Sequence, residues 1–401
     1  MGGGPLTEEM MRTHVFPLFS RVLSRREIYL ANHSLGRPPD QAAEDVARAM
    51  DAWYRDMDDA WGLWLDEIAF FRASVAALLG LDRPDAVVPK TAAGQSLRAV
   101  LNAITKDTVR VVATRGEFDS IDFILKTYAC RGRASVEFVE PAEDLLFRAK
   151  DLREAIRRHS PDLFVVSQVC YATGQEIPEL RELIAETHAR GGLALVDAYH
   201  AVGAMPVSMP TLDADFMIGG SYKYTRGGPG ACWLAVHPRH LSEGHSPALR
   251  TLDTGWFAKK DTFAFERPDE PLLSPGGDAW LESTPAVLQF FQARAGLELT
   301  IALRPDRLRA YNLEQQELLR SMLRARGVEV RDIWPRGAFL LLPNPDAPAM
   351  VRALKARGLN TDSRLGHVRL CPDILNTREE LTKAADIVAD VAARRHEFSR
   401  G

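Results

Sequence analysis

Two short motifs near the middle of the chain set an acid and an amine where chemistry can use them. Residues 193–197 read LALVD, an apolar run that ends on Asp197, and His200 follows three residues later. Residues 216–223 read FMIGGSYK, a second apolar run followed by two glycines, then Ser221, Tyr222 and Lys223. Gly227, Gly228 and Gly230 come next. Short apolar runs bounded by turn residues have the pattern of buried strands. Two such strands would deliver Asp197 and Lys223 to the same edge of one sheet, and ligands of open α/β sheets bind outside the carboxyl ends of the strands. An acid and a lysine placed there suit pyridoxal phosphate. The lysine condenses with the aldehyde, and the acid pairs with the pyridinium nitrogen and keeps the ring an electron sink. Taken singly, Asp197 could cap a helix and Lys223 could be a solvated charge. Taken together, with the glycines and His200 around them, they favour the cofactor.

The elements that must position these residues follow from the rest of the pattern. Apolar runs at 109–113, 136–139 and 164–169 alternate with helical periodicity, which predicts βαβ units and a mostly parallel sheet. Residues 87–96 predict a strand end turning into a helix, with the small residues Ala92, Ala93 and Gly94 at the turn. Small residues at a helix start leave backbone N–H groups free to hold an anion. Residues 31–38 predict a loop, 41–65 a helix containing Trp53, Trp61 and Trp64, and 67–81 another helix. Residues 233–236 predict one more strand. Residues 237–285 have little periodicity, and a stretch of that length inside a compact chain is usually functional. An apolar-faced helix at 287–304 comes before a change of texture. Beyond it come a long helix, strand-like runs at 328–333 and 338–342, a helix to 357 and a last helix from 377. The expected architecture is α/β: a large, mostly parallel sheet domain over residues 45–300 that binds the cofactor and a small C-terminal α+β domain over 301–401. Residues 1–44 are an N-terminal segment expected to pack with the small domain.

Composition excludes several classes. The chain has 401 residues, 46% hydrophobic and 26% charged, with a net charge of −4, ordinary for a globular chain. Nothing in that balance calls for nucleic acid or an anionic membrane. No apolar run approaches a membrane span of ~20 residues. The start, MGGGPL, lacks a basic region followed by an apolar core, so no secretory signal is expected. Cys130, Cys170, Cys232 and Cys371 are widely spaced and form no metal-ligand pattern, so reduced thiols, no metal and a cytoplasmic location are expected.

The motifs resemble those of the fold-type I pyridoxal-phosphate enzymes in the class V aminotransferase group, and within it the kynureninases. GSYKY at 220–224 resembles that family's lysine motif, and DAYHAVG at 197–203 its acid-x-x-His-Ala-x-Gly segment. CYATGQ at 170–175 resembles its Tyr-x-Thr-Gly-Gln, ANHSLGRP at 31–38 its Asn-Ser-Leu-Gly, and GWF at 255–257 its Gly-Trp-Phe. The resemblance runs in order from Asn32 to about Val388. It departs at Ala92-Ala93, where the family has a Thr/Ser–Val step, and at Asp119, which stands for Pro. It departs again at Ile121, which stands for Asp, and at Lys259, where a His is common. Whether Thr91 or Ser96 replaces the lost hydroxyl, and whether Asp122 replaces the lost acid, is open at this level.

The resemblance implies a homodimer with shared active sites, acting on a small amino acid. It implies that Lys223 holds the cofactor and shuttles the α-proton, that Asp197 faces the pyridine nitrogen with His200 in support, and that Tyr222 is a candidate acid/base. Phe118 would stack on the ring, and Ala92 and Ala93 would start the phosphate-binding helix. Thr284 and Trp256 would reach a neighbouring subunit's cofactor. On the substrate side it implies Asn32, Trp64, and Arg369 as a bidentate carboxylate clamp. The implied reaction belongs to tryptophan catabolism: hydrolysis of the Cβ–Cγ bond of L-kynurenine, or a ring-substituted kynurenine, to an anthranilate and L-alanine. The alternative is another class V reaction, an aminotransferase, epimerase or cysteine desulfurase/lyase, with Cys371 the best-placed thiol for the last.

Overall fold

Seven strands form one mixed sheet in the computed structural model, which describes residues 4–244, 248–264 and 267–393. In chain order they are β1 (Val87–Lys90), β2 (Val109–Thr114), β3 (Ala134–Val139), β4 (Leu163–Ser167), β5 (Leu193–Asp197), β6 (Phe216–Gly220) and β7 (Cys232–Val236). In space the order is β1-β7-β6-β5-β4-β2-β3. All neighbours pair in parallel except β7, which is antiparallel to both β1 and β6. Every residue of β4, β6 and β7 is buried. Their near-continuous apolar sequences are what a sheet covered on both faces requires. The cover comes from α3 (Ala93–Ala103) on β6 and β7, α4 (Asp119–Cys130) on β3, α5 (Ala149–His159) on β2 and β3, and α6 (Leu180–His188) on β5.

The order of the strands places the ligand crevice. From β4 the chain steps to β5, β6 and β7 in one direction, while β2 and β3 lie on the other side of β4. The reversal falls between β2 and β4, and loops that leave a sheet at such a switch point diverge and leave a crevice. The loops after β2, β4, β5 and β6 carry Phe118, Tyr171, His200 and Lys223 respectively.

The N-terminal half of the large layer holds α1 (Gln41–Asp56) and α2 (Trp61–Leu78). The helix expected over 41–65 breaks at Met57, whose φ is +49°, and a 3-10 turn at Met57–Ala60 joins the two. Among the described residues, 237–285 contains three short 3-10 turns and no strand or α-helix. After it come α7 (Leu288–Leu303) and α8 (Pro305–Ala325).

A second, antiparallel sheet of three strands is built from β8 (Leu340–Pro343), β9 (Asp362–Arg364) and β10 (His367–Leu370), with β10 in the centre. It packs with α8, α9 (Ala347–Ala356) and α10 (Arg378–Ala393) around a core of its own that includes Leu319, Leu340, Val368 and Leu381. The strand expected at 328–333 does not form. Val328, Val330 and Ile333 are buried, but the period-2 alternation breaks after Val330, and Arg331 N to Leu341 O, at 2.9 Å, is its one bond to β8 among the described residues. Ile28 and Tyr29 pair in parallel with Leu359 and Asn360. Leu6, Met11, Val15 and Phe19 pack against Leu299, Leu308, Tyr311 and Leu375. No helix of the described residues is long and apolar enough to cross a membrane.

Candidate active site

A cavity of about 240 Å³ opens at the carboxyl ends of β4, β5 and β6. Thr91, Ala92, Ala93, Phe118, Ser167, Tyr171, Asp197, Tyr199, His200, Tyr222 and Lys223 line it. Lys223 leaves the sheet three residues after β6. Gly219 and Gly220 let it do so, because a Cβ on Gly219 would lie 2.4 Å from the Trp233 ring and one on Gly220 would lie 2.2 Å from the Tyr199 hydroxyl. The lysine loop is held from outside by the N-terminal loop. Gly36 N donates to Tyr222 O at 2.8 Å, and a Cβ on Gly36 would meet Lys223 O at 1.8 Å.

Lys223 is 4% exposed. Its Nζ is 2.5 Å from His200 Nε2 and faces the rings of Tyr199 at 4.9 Å, Phe118 at 5.4 Å and Tyr222 at 5.5 Å. Burial pushes the ammonium pKa well below the ordinary lysine range, against the opposing pull of Asp197, and Arg369 adds to the lowering. Burial likewise pushes the Asp197 carboxyl up, while the Tyr199 N–H and the Lys223 charge work the other way. Asp197 Oδ1 accepts from Tyr199 N at 2.8 Å. Its other oxygen takes no hydrogen bond among the described residues, and Lys223 turns to His200 rather than to the acid. A gap therefore separates the amine from the carboxylate.

That gap fits pyridoxal phosphate. The acid at one end and the amine at the other match the two polar ends of its ring, and Phe118 supplies an aromatic wall. The phosphate end has a place too. Ala92 is the N-cap of α3 and offers no side-chain cap, and Ala92, Ala93 and Gly94 line the cavity, so the start of that helix borders it. Of the two hydroxyls considered for this corner, Thr91 lines the cavity, while Ser96 is buried and donates to Trp233 O at 3.2 Å. Tyr222 is half-buried, and burial raises its phenol above the ordinary value, so it keeps its proton at neutral pH.

Other expected site residues lie elsewhere. Arg369 is buried on β10, and its Nε and Nη2 bind both oxygens of Asp362 at 2.7 and 2.5 Å. Its Nη1 donates to the Tyr171 carbonyl, which puts it at the rim of the cavity. His33 completes the group, with Nε2 at 2.7 Å from Asp362 Oδ1. Asn32 is buried outside the cavity and donates to Cys371 O at 3.0 Å. Trp64 packs edge-on against Trp53 and Trp61 and does not line the cavity. Trp256 Nε1 donates to Thr284 Oγ1 at 3.1 Å. Thr284 lines a second cavity, of about 470 Å³, that also involves Phe257, Phe263 and Gln95 and shares Thr91 with the first. Among the described residues no group of three or more acids, histidines and cysteines is placed to hold a metal ion.

Two residues were not anticipated. Tyr199 forms a cavity wall, its hydroxyl 3.6 Å from Cys232 Sγ. Glu117, immediately before Phe118, is 3% exposed and bonds to Thr114 and Ser167. The sequence shows an acid after a strand at this point, and only tertiary packing reveals that it turns inward.

Comparison with known proteins agrees with this geometry. Residues 53–329 match the family description Aminotransferase class-V. The kynureninase of Bacillus cereus is 26% identical over 394 residues, covering 91% of this chain and 88% of that one. The kynureninase of Geobacillus thermodenitrificans is 28% identical over 381 residues, covering 89% and 86%. Among solved structures, a C-DES mutant with glycine covalently linked to its PLP cofactor superposes with a TM-score of 0.82 at 19% identity, over 94% of this chain and all of that one. A cysteine desulfurase from Thermococcus onnurineus superposes with a TM-score of 0.80 at 18% identity, over 98% of this chain. The structural likenesses establish the fold, the sequence match establishes the lineage, and the chain belongs to the class V aminotransferase family of pyridoxal-phosphate enzymes.

Proposed function

We propose that this enzyme hydrolyses the Cβ–Cγ bond of L-kynurenine, or a ring-substituted kynurenine, to an anthranilate and L-alanine. The observation that carries the reading is the Lys223–His200–Asp197 constellation, set in a chain similar to kynureninases along about nine-tenths of its length. Pyridoxal phosphate, when bound, supplies an electron sink for carbanion chemistry next to its ring. The remaining work falls to side chains. Lys223, with its pKa lowered by burial, provides a neutral amine at neutral pH more readily than a solvated lysine, and so can attack a carbonyl and carry the α-proton. Asp197 would supply the negative charge that pairs with the ring nitrogen of the bound cofactor. Tyr222, still protonated, can donate to an oxygen at the γ-carbon and take the proton back. Arg369 would receive the α-carboxylate by exchanging its Tyr171 carbonyl contact for a substrate oxygen, while Asp362 keeps its plane fixed.

We propose further that the active form is a homodimer. The second cavity, joined to the first at Thr91 and bearing Thr284 and the exposed Phe263, supports a surface completed by another copy. The desulfurase alternative needs an accessible, mobile thiol. Cys371 is instead 1% exposed at the end of β10, donates to Ala338 O at 3.2 Å, and has its thiol pKa raised by burial. The deciding experiment supplies purified protein with kynurenine and 3-hydroxykynurenine and follows the fluorescence of the released aminobenzoate, with and without a 2-oxo acid. Release that needs no 2-oxo acid is expected. Turnover that requires one, with no aminobenzoate formed, would reject hydrolysis in favour of transamination.

A further inference from the structure

The Glu117 carboxyl sits at the switch point between β2 and β4, where no cation meets it. Its Oε1 accepts from Thr114 Oγ1 at 2.6 Å and from Ser167 N at 3.1 Å, and its Oε2 lies 2.6 Å from Ser167 Oγ. No lysine, arginine or histidine among the described residues forms an ion pair with it. An isolated carboxylate buried in this way is strongly disfavoured. A second acid stands one strand away, since Ser167 pairs in register with Asp197. Two buried carboxyls so close do not both ionise readily.

We propose that Glu117 is a positioning residue of the cofactor pocket, a neutral acid that ties the Phe118 turn to the ends of β2 and β4 and leaves the negative charge there on Asp197. In the neutral form its O–H donates to Ser167 Oγ and its other oxygen accepts from the Thr114 hydroxyl and the Ser167 N–H, which frees the Ser167 hydroxyl proton toward the cavity that Ser167 lines. Burial pushes its pKa up to about 7, with Asp197 adding to the rise and the Ser167 and Thr114 hydrogen bonds opposing it, so the neutral form prevails below pH 7. Phe118 is the next residue in the chain, and both Phe118 and Ser167 line the cavity. Glu117 thus fixes two walls of the pocket while lying outside its lining. The inference rests on the pyridoxal-phosphate site and is independent of the substrate chosen above.

The test uses the holoenzyme and the resolved enzyme titrated with pyridoxal phosphate. Glu117→Gln keeps the pattern of one donor and one acceptor and is expected to hold the cofactor within about twofold of wild type. In the infrared difference between the wild-type and Glu117→Gln holoenzymes at pH 6, the C=O stretch of a protonated carboxyl is expected to be lost. Glu117→Ala leaves buried donors unpaired and is expected to weaken the cofactor roughly tenfold or more. Should that variant fail to fold, Ser167→Ala removes one of the three ties and is expected to give a smaller loss in the same direction. An infrared spectrum without the lost band, or Glu117→Gln as weak as Glu117→Ala, overturns the neutral acid. Unchanged cofactor affinity in both Glu117→Ala and Ser167→Ala overturns the positioning role. A wild-type protein that bound no pyridoxal phosphate would instead strike the cofactor assignment itself.

Discussion

The Nζ of Lys223 and the Nε2 of His200 lie 2.5 Å apart, both buried. Two cationic groups cannot share such a contact, so one must accept. Burial and the Lys223 charge hold the imidazole well below its ordinary pKa, which makes His200 the neutral acceptor with its proton on Nδ1. That Nδ1 is buried and takes no partner among the described residues. The lysine is therefore aimed by a residue on the neighbouring strand's loop and not by the acid whose charge it feels.

Covalent attachment at this lysine is the first consequence. Borohydride treatment of the wild-type holoenzyme should fix the cofactor to the chain, and mass spectrometry of a digest should find it on the peptide containing Lys223. Lys223→Ala protein should release all cofactor on denaturation after the same treatment. Label retained by that variant would reject the assignment.

Asp197 should separate binding from turnover. Losing one partner of a buried charge pair costs about 3–5 kcal/mol, equivalent to roughly two hundredfold to five thousandfold in rate. Asp197→Ala should lower kcat by about that much while the borohydride-fixed cofactor content stays near wild type. A kcat within a few-fold of wild type would remove Asp197 from the proposed role.

The sheet was legible because β4 to β7 are continuous apolar runs that end on polar residues, and burial on both faces leaves no other pattern open to them. The Asp197 and Lys223 motifs were legible for the same reason, since each follows such a run directly. Glu117 was not, because nothing local separates an acid that turns inward from one that caps a helix. The 328–333 run misled because buried apolar residues report that a segment faces the core, not that its backbone finds a ladder. Trp64 illustrates a third limit: its spacing with Trp53 and Trp61 marks an aromatic cluster, and spacing says nothing about which cavity that cluster borders.

Arg369 tests the carboxylate clamp. Its planar fork is held by Asp362, a geometry that lysine cannot reproduce. Hydrogen bonds to charged groups contribute about 1.5–3 kcal/mol. Arg369→Lys should therefore raise KM for the amino-acid substrate roughly ten- to a hundredfold with cofactor content unchanged. Asp362→Asn, which keeps the shape but loses the charge, should show a smaller rise in KM. A KM unchanged in Arg369→Lys would place the substrate carboxylate elsewhere.

His33 makes a prediction about stability. It is fully buried against Asp362, and its pKa is lowered from 6.5 to about 4, chiefly by burial, with Arg369 adding to the effect and Asp362 opposing it. In the unfolded chain the same imidazole takes a proton near its ordinary value. Between about pH 6.5 and 4 the unfolded chain therefore binds a proton that the folded chain refuses, and acid favours unfolding across that window. Above it both forms are neutral and below it both are charged, so the contribution is complete above pH 6.5 and exhausted below about 4. Asp362 acts mainly below the interval compared: His33 and Arg369 hold its folded-state pKa far below the ordinary carboxylate range, so its own stability contribution is lost only as pH falls toward and below the ordinary value of 3.8. The slope from one such group is at most about 1.4 kcal/mol per pH unit. His33→Gln places an amide donor near the Nε2 position that meets Asp362 and does not titrate, so it should lose less stability than wild type when the pH falls from 6.5 to 4.5. Urea midpoints at the two pH values, measured on the holoenzymes, provide the comparison. Equal losses in the two proteins would mean that His33 titrates in the folded chain as it does in the unfolded one.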